Sequence, residues 1–426
     1  MEKNNKRVLI VSSYAPPAIG GPQNMYNLLI DVPPESYRIL TSFYNIDNVS
    51  AKRGTWLPGK YLFYDKPGAT KDELRNQKEG PQIDRGRSMV AKLKHAVKRI
   101  LFIRTLLGAP IIFSQIVMVY RQGLKAIQKE GITSILGFSD YGPALIGTYL
   151  IHKKTGVPYS LFLFDLYRGN FFPFPGGILS RMYEKRLFEN AEKIIVTNKG
   201  TKEYFRKEYG DEMAEKMVIV YNATFPEPYL KHQTPYNPKP PYTIMFTGRI
   251  YWPQMRSIKN LIKAVEKMEN LDVRLKIYTP SPKDYLEKIG IKESKRVSLD
   301  MATPQEMPAI QAKADILFLP LSWKTKSQPI IDTATPGKFT DYLISGRPML
   351  IHAPASTHVV QYAKENHAAI CADEESTEVL QEAIRRLLLD VDYSRELIKN
   401  AQKAFFKNHA IEKNAHLFRL EVFGSN

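Results

Sequence analysis

The chain has 426 residues, 43 % hydrophobic and 24 % charged, which excludes a disordered polymer and provides length for two domains rather than one. A single cysteine, Cys371, excludes an internal disulfide framework and suits a reducing compartment. The formal net charge of +18 demands an explanation, and much of it is local.

The first apolar run, Val8-Leu-Ile-Val11, is too short for a secretory leader and reads as a buried strand within 7–13. A cytoplasmic location is therefore expected. The loop Ser12–Pro22 follows. Gly20 and Gly21 permit close backbone approach, and Pro22 suits the first position of a helix at 22–30. The N–H groups at such a helix start can hold a diphosphate, although a plain Gly-Pro turn fits the same residues and the G-x-G-x-x-G spacing is absent. A strand is expected at 37–42.

From Arg85 to Lys129 there is no Asp or Glu, against ten Lys and Arg. Met89, Leu93, Ala96, Val97, Ile100, Ile103 and Leu107 share one helical stripe, with Lys92, Lys94, Lys98 and Arg99 beside or opposite it. Two helices, 88–107 and 111–129, are expected, joined by a turn at Gly108-Ala-Pro110. Arg104, Gln115 and Pro110 argue against a membrane span. A basic amphipathic helix of this kind lies on an anionic membrane surface. A solvated domain helix and a nucleic-acid surface are the other readings of the same residues.

Strands at 133–138, 158–164 and 193–197 alternate with helices at 142–155 and 179–190, a pattern that argues for a doubly wound α/β domain. The six prolines of 222–241 predict an interdomain linker. A second α/β series follows, with strands at 242–248, 272–278, 315–320, 348–352 and 369–371. Its helices are expected at 257–269, 304–313, 336–345, 356–365 and 376–389, with a long last helix at about 394–418.

Two segments of this second series carry chemistry. Gly248-Arg249, with Arg256 beyond, sits where the domain's first strand ends, the edge of an open α/β sheet at which ligands bind. Guanidinium groups there suit a diphosphate, and a solvated arginine pair is the plainer alternative. In Thr335-Pro-Gly-Lys-Phe-Thr-Asp341, Thr335 reads as N-cap and Pro336 as the first helical residue. Lys338 then lies in the first turn, where a cation opposes the helix dipole at about 0.3–1 kcal/mol. A diphosphate between Lys338 and the helix end would remove that conflict. Asp341, one turn on, can accept ribose hydroxyls or simply complement the dipole. His152, His352, His358 and His367 lack ligand spacing, so no metal is expected. No G-x-S-x-G elbow supports a serine hydrolase. Trp252 and Trp323 fall in loops after strands, where they could stack on a base or sugar or simply pack.

The order and spacing of these segments resembles the retaining family 4 glycosyltransferases of GT-B fold, of the type that builds bacterial polysaccharide and lipid-linked glycans. The resemblance also covers Gly156–Asp165, Asn190–Asn198, Val218–Asn222 and Lys338-x-x-Asp341-Tyr-Leu-x-x-Gly346-x-Pro348. It implies an α/β chain of two Rossmann-like, doubly wound domains facing a cleft. Residues 1–225 would bind acceptor, 226–400 the nucleotide sugar, and 401–426 would cross back onto the first domain. It further implies that Gly20, Gly21 and Gly248 approach the donor diphosphate, that Arg249, Arg256, Pro336, Gly337 and Lys338 bind it, and that Asp341 holds the ribose. Asp165 falls near the transferred sugar, so Asp165, Arg249 and Lys338 form the expected catalytic set. The first of the family's two acidic positions falls on Thr333, with Asp332 adjacent. The implied activity is retaining, metal-independent hexosyl transfer from a UDP-sugar, without cofactor. The acceptor would be a glycan or lipid-linked amphiphile at the inner face of the plasma membrane, and no nucleic acid is expected as partner. The alternative is a non-catalytic basic lipid- or nucleic-acid-binding protein on an inactive transferase scaffold.

Overall fold

A computed structural model describes residues 6–76 and 101–424, apart from 19, 47, 171, 173, 324 and 326. The chain divides into two compact units. Unit 1 comprises the residues up to Thr197, Thr201–Val220 and those from Ala415; unit 2 comprises Asn198–Gly200 and Tyr221–Asn414.

Unit 1 is built on seven strands: β1 Val8–Val11, β2 Tyr37–Thr41, β3 Lys60–Phe63, β4 Ser134–Phe138, β5 Tyr159–Leu163, β6 Ile194–Val196 and β7 Met217–Ile219. They pair in parallel in the order β3-β2-β1-β4-β5-β6-β7. β1, β4 and β5 are buried along their whole length, as expected of parallel strands covered on both faces. Unit 2 carries β8 Tyr242–Thr247, β9 Val273–Tyr278, β10 Val297–Asp300, β11 Ile316–Pro320, β12 Met349–His352 and β13 Ile370–Ala372. Their order is β10-β9-β8-β11-β12-β13, again all parallel. Each sheet grows outward from its first strand, then reverses to the other side. That reversal creates a switch point between β1 and β4 in one unit and between β8 and β11 in the other, where the carboxyl ends of the strands leave a crevice.

Several sequence expectations need correction. The predicted turn at 108–110 is absent: one helix runs Leu101–Glu130 with Pro110 inside it. An internal proline removes one backbone bond, but this helix is held by its packing on the helix Pro143–Thr155. Glycines allow that close approach. A Cβ on Gly147 would run into the Val119 side chain, and one on Gly123 into Ile151. The predicted helix at 88–107 lies outside the described residues up to 100. The supposed linker is packed on unit 2. It forms the helix Glu227–Leu230 and buries Tyr229 and Tyr236, whose hydroxyl donates to the Leu387 carbonyl at 3.0 Å.

The last predicted helix is two, Val391–Asn408 and Ile411–Phe423. The break is fixed at His409, whose Nδ1 donates to the Asn222 carbonyl at 2.8 Å. Beyond it, Phe418 packs edge-on against Phe162 of β5, at 6.1 Å between centroids. The crossing into unit 1 therefore begins at 415 rather than 401, and the unit boundary lies at Val220 rather than 225. Among the described residues, no helix is long and apolar enough to cross a membrane.

Replacing Gly147 by Val forces a branched side chain into the Val119 contact. A loss of about 1–3 kcal/mol is expected, read as a lower urea midpoint. A wild-type midpoint would show that the crossing of these two helices is loose.

Candidate functional site

The carboxyl end of β8 is joined to the helix Gly337–Ile344 by a buried hydroxyl. The Thr247 amide donates to Tyr342 Oη at 3.0 Å, the two hydroxyl oxygens lie 3.0 Å apart, and Gln311 Nε2 donates to Thr247 Oγ1 at 3.3 Å. These bonds bring the N-terminus of that helix against the Gly248 turn. Gly248 has φ +114°, a conformation that disfavours any side chain. A Cβ there would sit 3.1 Å from Lys338 Cε and 3.2 Å from Nζ. The glycine thus makes room for the lysine.

Lys338 Nζ lies 4.0 Å from the centroid of the buried Phe246 ring, a cation–π contact. Loss of water pushes its ammonium down to about 7, with Asp341 opposing the shift. Burial likewise raises Asp341 to about 6, offset by the Tyr229 hydroxyl it accepts and by Lys338. The helix start itself is Pro336, one residue later than predicted, with Gly337 as first helical residue. No side chain caps it, and nothing lies within 4 Å of the position a Gly337 Cβ would take. The Phe339 amide turns back to the Pro336 carbonyl at 2.8 Å, which leaves the Gly337 and Lys338 amides without a backbone partner or a side-chain cap among the described residues.

The loop leading into this helix is held from behind. Asn198 Nδ2 donates to the Thr333 carbonyl and Asn222 Nδ2 to that of Thr335, each at 3.0 Å. The Asn222 carbonyl in turn accepts Thr340 Oγ1 at 3.2 Å and His409 Nδ1. His409 is buried and lowered to about 4, so it is a neutral donor at physiological pH.

The structure separates the remaining predicted residues. Arg249 is exposed and makes no hydrogen bond or ion pair among the described residues. Arg256 is committed to an ion pair with Glu375. Asp332 Oδ1 accepts Gln328 Nε2 at 2.9 Å and Ser356 Oγ at 2.7 Å, and Thr333 Oγ1 turns back to the Pro329 carbonyl at 2.8 Å. Trp323 packs on His352, 4.5 Å between ring centroids, while Trp252 is exposed at the start of its helix. His352 and His358 are each lowered to about 4 by burial. No group of three His, Cys, Asp or Glu among the described residues is placed to hold a metal.

Unit 1 gathers its own loops at the β1/β4 switch point. Gly20 has φ +93°, and a Cβ on Gly21 would lie 2.9 Å from the Phe164 ring. Pro22 follows Gly21, which opens the helix Gly21–Leu29. Phe164 is fixed by the hydrogen bond its N–H donates to Ser139 Oγ at 2.9 Å, and Asp165 is the exposed residue after it. Asp140, not anticipated from sequence, is buried there. It accepts Ser13 Oγ and the Gly142 and Ala144 amides, at 2.8 and 3.0 Å for the amides.

Two all-parallel Rossmann-like sheets with these strand orders define a GT-B fold. Residues 241–390 match the family described as Glycosyl transferases group 1. The whole chain is similar in fold to the sucrose-phosphate synthase of Thermosynechococcus elongatus, at TM-score 0.65 and 13 % identity over 99 % of this chain and 100 % of that one. It is similar to Anabaena HepE in complex with UDP and glucose, at TM-score 0.64 and 12 % identity with the same coverage. A glycosyltransferase of Rickettsia africae matches at TM-score 0.63 and 11 % identity, over 99 % of this chain and 100 % of that one. The sequence matches no curated protein. Unit 2 is thus similar to the group 1 glycosyltransferases over residues 241–390, and the chain as a whole has a GT-B fold.

Tyr229, Tyr342, Asn222 and Glu375 were not found by sequence reasoning, because their roles depend on partners about a hundred residues away in the chain. In the absence of ligand, Gly337→Ala fills open space with a better helix former. Its stability is expected to rise by about 0.5–1 kcal/mol in urea unfolding. Gly248→Ala, strained and in contact with Lys338, is expected to lose about 1–3 kcal/mol. The opposite ranking would overturn this account of the two glycines.

Proposed function

We propose that the chain is a retaining glycosyltransferase that takes a hexose from a UDP-sugar and passes it to an amphiphilic, lipid-linked or glycan acceptor in bacterial surface glycan synthesis. The observation that carries this is the Lys338 ammonium at an uncapped helix N-terminus, beneath the Gly248 turn. A cation and a positive helix end side by side are mutually unfavourable, and a diphosphate relieves both. Arg249 adds an exposed guanidinium beside Gly248, without an ion pair among the described residues. Arg256 can join only by leaving Glu375. Asp341, held by Tyr229, is the acceptor for ribose hydroxyls. HepE, the neighbour solved with UDP and glucose, supports uridine as the base.

In the reaction the bond between the anomeric carbon and the β-phosphate oxygen breaks. The acceptor oxygen bonds to the same face of that carbon, and its proton passes to the departing phosphate. Lys338, Arg249 and the helix amides stabilise the charge that develops on the phosphate, so no metal is required. Asp165 is the unit 1 residue assigned to the transferred sugar. The +18 charge supports a position on the cytoplasmic face of an anionic membrane, where a lipid-linked acceptor would lie.

Calorimetric titration with UDP-glucose tests the site. Lys338→Ala is expected to weaken binding about 10–100-fold, the worth of a charged hydrogen bond. Gly337→Ala is expected to weaken it too, despite its higher stability. Asp165→Asn is expected to lower turnover while UDP affinity stays. Unchanged affinity in Lys338→Ala would remove the phosphate cradle. An inverted product anomer would remove retention, and activity abolished by chelator would remove metal independence.

The pH profile follows from the two shifted groups. Anion binding raises the Lys338 pKa, so affinity is full well below pH 7 and falls as the lysine deprotonates, about fivefold between pH 7 and 8. Hydroxyls on the Asp341 carboxylate lower its pKa, so affinity also falls as pH drops below about 6. UDP-glucose, whose phosphates do not titrate in this range, is the right probe. Lys338→Met should abolish the upper limb and Asp341→Asn the lower one.

A further inference from the structure

Soluble surfaces carry large apolar side chains singly; clusters rimmed by charge mark contact sites. Unit 1 carries such a cluster on the helix Leu101–Glu130, the helix Gly176–Asn190 and the residue Phe174 just before the latter. Ile111, Phe113, Val117, Phe174, Ile178 and Met182 are each 44–58 % exposed. The two helices are neighbours: Ile112, Ile116 and Leu179 share one buried cluster with Ile146. A Cβ on Gly108 would lie 2.9 Å from the Phe174 carbonyl oxygen. The exposed apolar residues therefore flank a common seam.

The charge on this face has one sign. Along the first helix the exposed stripe continues from Val117 to Arg121, Lys125 and Lys129. Along the second, Arg181, Lys185 and Arg186 alternate with the apolar residues. The acids within reach are already used. Glu189 pairs with Lys185 at 3.7 Å, Glu130 is held by Arg38 and Lys60, and Glu184 is buried against Arg168 and Tyr209. Arg121, Lys125, Arg181 and Arg186 have no ion pair among the described residues. Apolar side chains at the centre and uncompensated cations at the rim match the two layers of an anionic bilayer surface, acyl boundary and phosphate headgroup. A protein partner would need this one-signed rim matched acid by acid; a lipid surface supplies negative charge everywhere.

We infer that this face of unit 1 docks on an anionic lipid surface, with Phe113, Ile178 and Met182 entering between headgroups. The inference deepens the membrane part of the proposed function and is independent of the donor site. It also moves the contact surface predicted from sequence onto 110–129 and adds the helix at 176–190, which the charge pattern had not pointed to.

The test is co-sedimentation of the full chain with phosphatidylcholine vesicles, alone and mixed with phosphatidylglycerol. Binding to the mixed vesicles alone is expected. The triple variant Phe113→Ser/Ile178→Ser/Met182→Ser should weaken it at least about tenfold. Arg181→Glu should weaken it about fivefold or more. Wild-type binding to UDP-glucose in both variants would show that the donor site is intact, so the two proposals fail separately. Failure of the wild type to bind mixed vesicles would overturn the inference, as would equal binding by the triple variant. A dimeric mass by light scattering that the triple variant loses would reassign the face to a second copy. A lower thermal midpoint with unchanged vesicle binding would mean that the chain covers this face itself.

Discussion

A cation is held where the backbone is already positive. Lys338 occupies the first turn of an uncapped helix, its ammonium over the Phe246 ring and its side chain against the Gly248 turn. The aromatic face offsets part of the desolvation and the Asp341 carboxylate another part, yet the pKa still falls to about 7. Such a group stores a demand for an anion. Everything else at the end of β8 serves to keep that demand unmet by the protein itself. No side chain caps the helix, and Gly337 puts no atom in front of it.

This position is a product of topology more than of local sequence. A parallel sheet that reverses direction between β8 and β11 leaves room above the first strand, and the helix before β12 points its N-terminus there. Packing at the helix's far side fixes its tilt through Tyr342 and Thr247. The loop before it is fixed through Asn198 and Asn222, residues from elsewhere in the chain. Rigidity behind the loop lets the front stay open, which is what preorganised anion binding requires. Unit 1 repeats the plan with a different filling. At its switch point a buried carboxylate, Asp140, satisfies the loop amides that unit 2 leaves uncapped at Gly337. The same topology therefore gives an anion-ready helix end in one unit and a closed, self-satisfied loop in the other.

Interior strands were legible because burial on both faces writes an unbroken apolar run. The sequence ranges for β1, β4, β5, β8 and β11 agree with the structure to within two residues at each end. Three strands escaped, β3, β7 and β10, and all three lie at sheet edges. An edge strand pairs on one side only, so Lys60–Phe63 and Val297–Asp300 keep exposed polar ends and read as loop. Proline misled twice. The six in 222–241 suggested a free linker where Tyr229 and Tyr236 anchor the segment, and Pro110 suggested a turn where packing holds one helix. Lys338 and Asp341 could be found because their spacing along one helix is local. Tyr229 and Glu375 could not, since each matters only through a partner distant in sequence.

The departures around the donor site have a physical logic of their own. Asp332 stands beside the place where the resembled family has an acid, but its Oδ1 already holds Gln328 and Ser356. Thr333 turns its hydroxyl to its own helix. Neither side chain is poised to grip a sugar hydroxyl as a free glutamate would, whereas Lys338, the proposed phosphate ligand, and its companion Asp341 stand together at the helix start. In the proposed function, nucleotide recognition falls to the helix Gly337–Ile344, while the preceding helix Gln328–Thr333 keeps its polar side chains bonded within the protein. Arg256 fits the same scheme. Its ion pair with Glu375 is solvent-exposed on the arginine side, so it contributes little to stability and can be exchanged for a phosphate at small cost. The cation that is easily released sits on the exposed side, and the one that is costly to hold sits at the helix end, where the proposed diphosphate would relieve it.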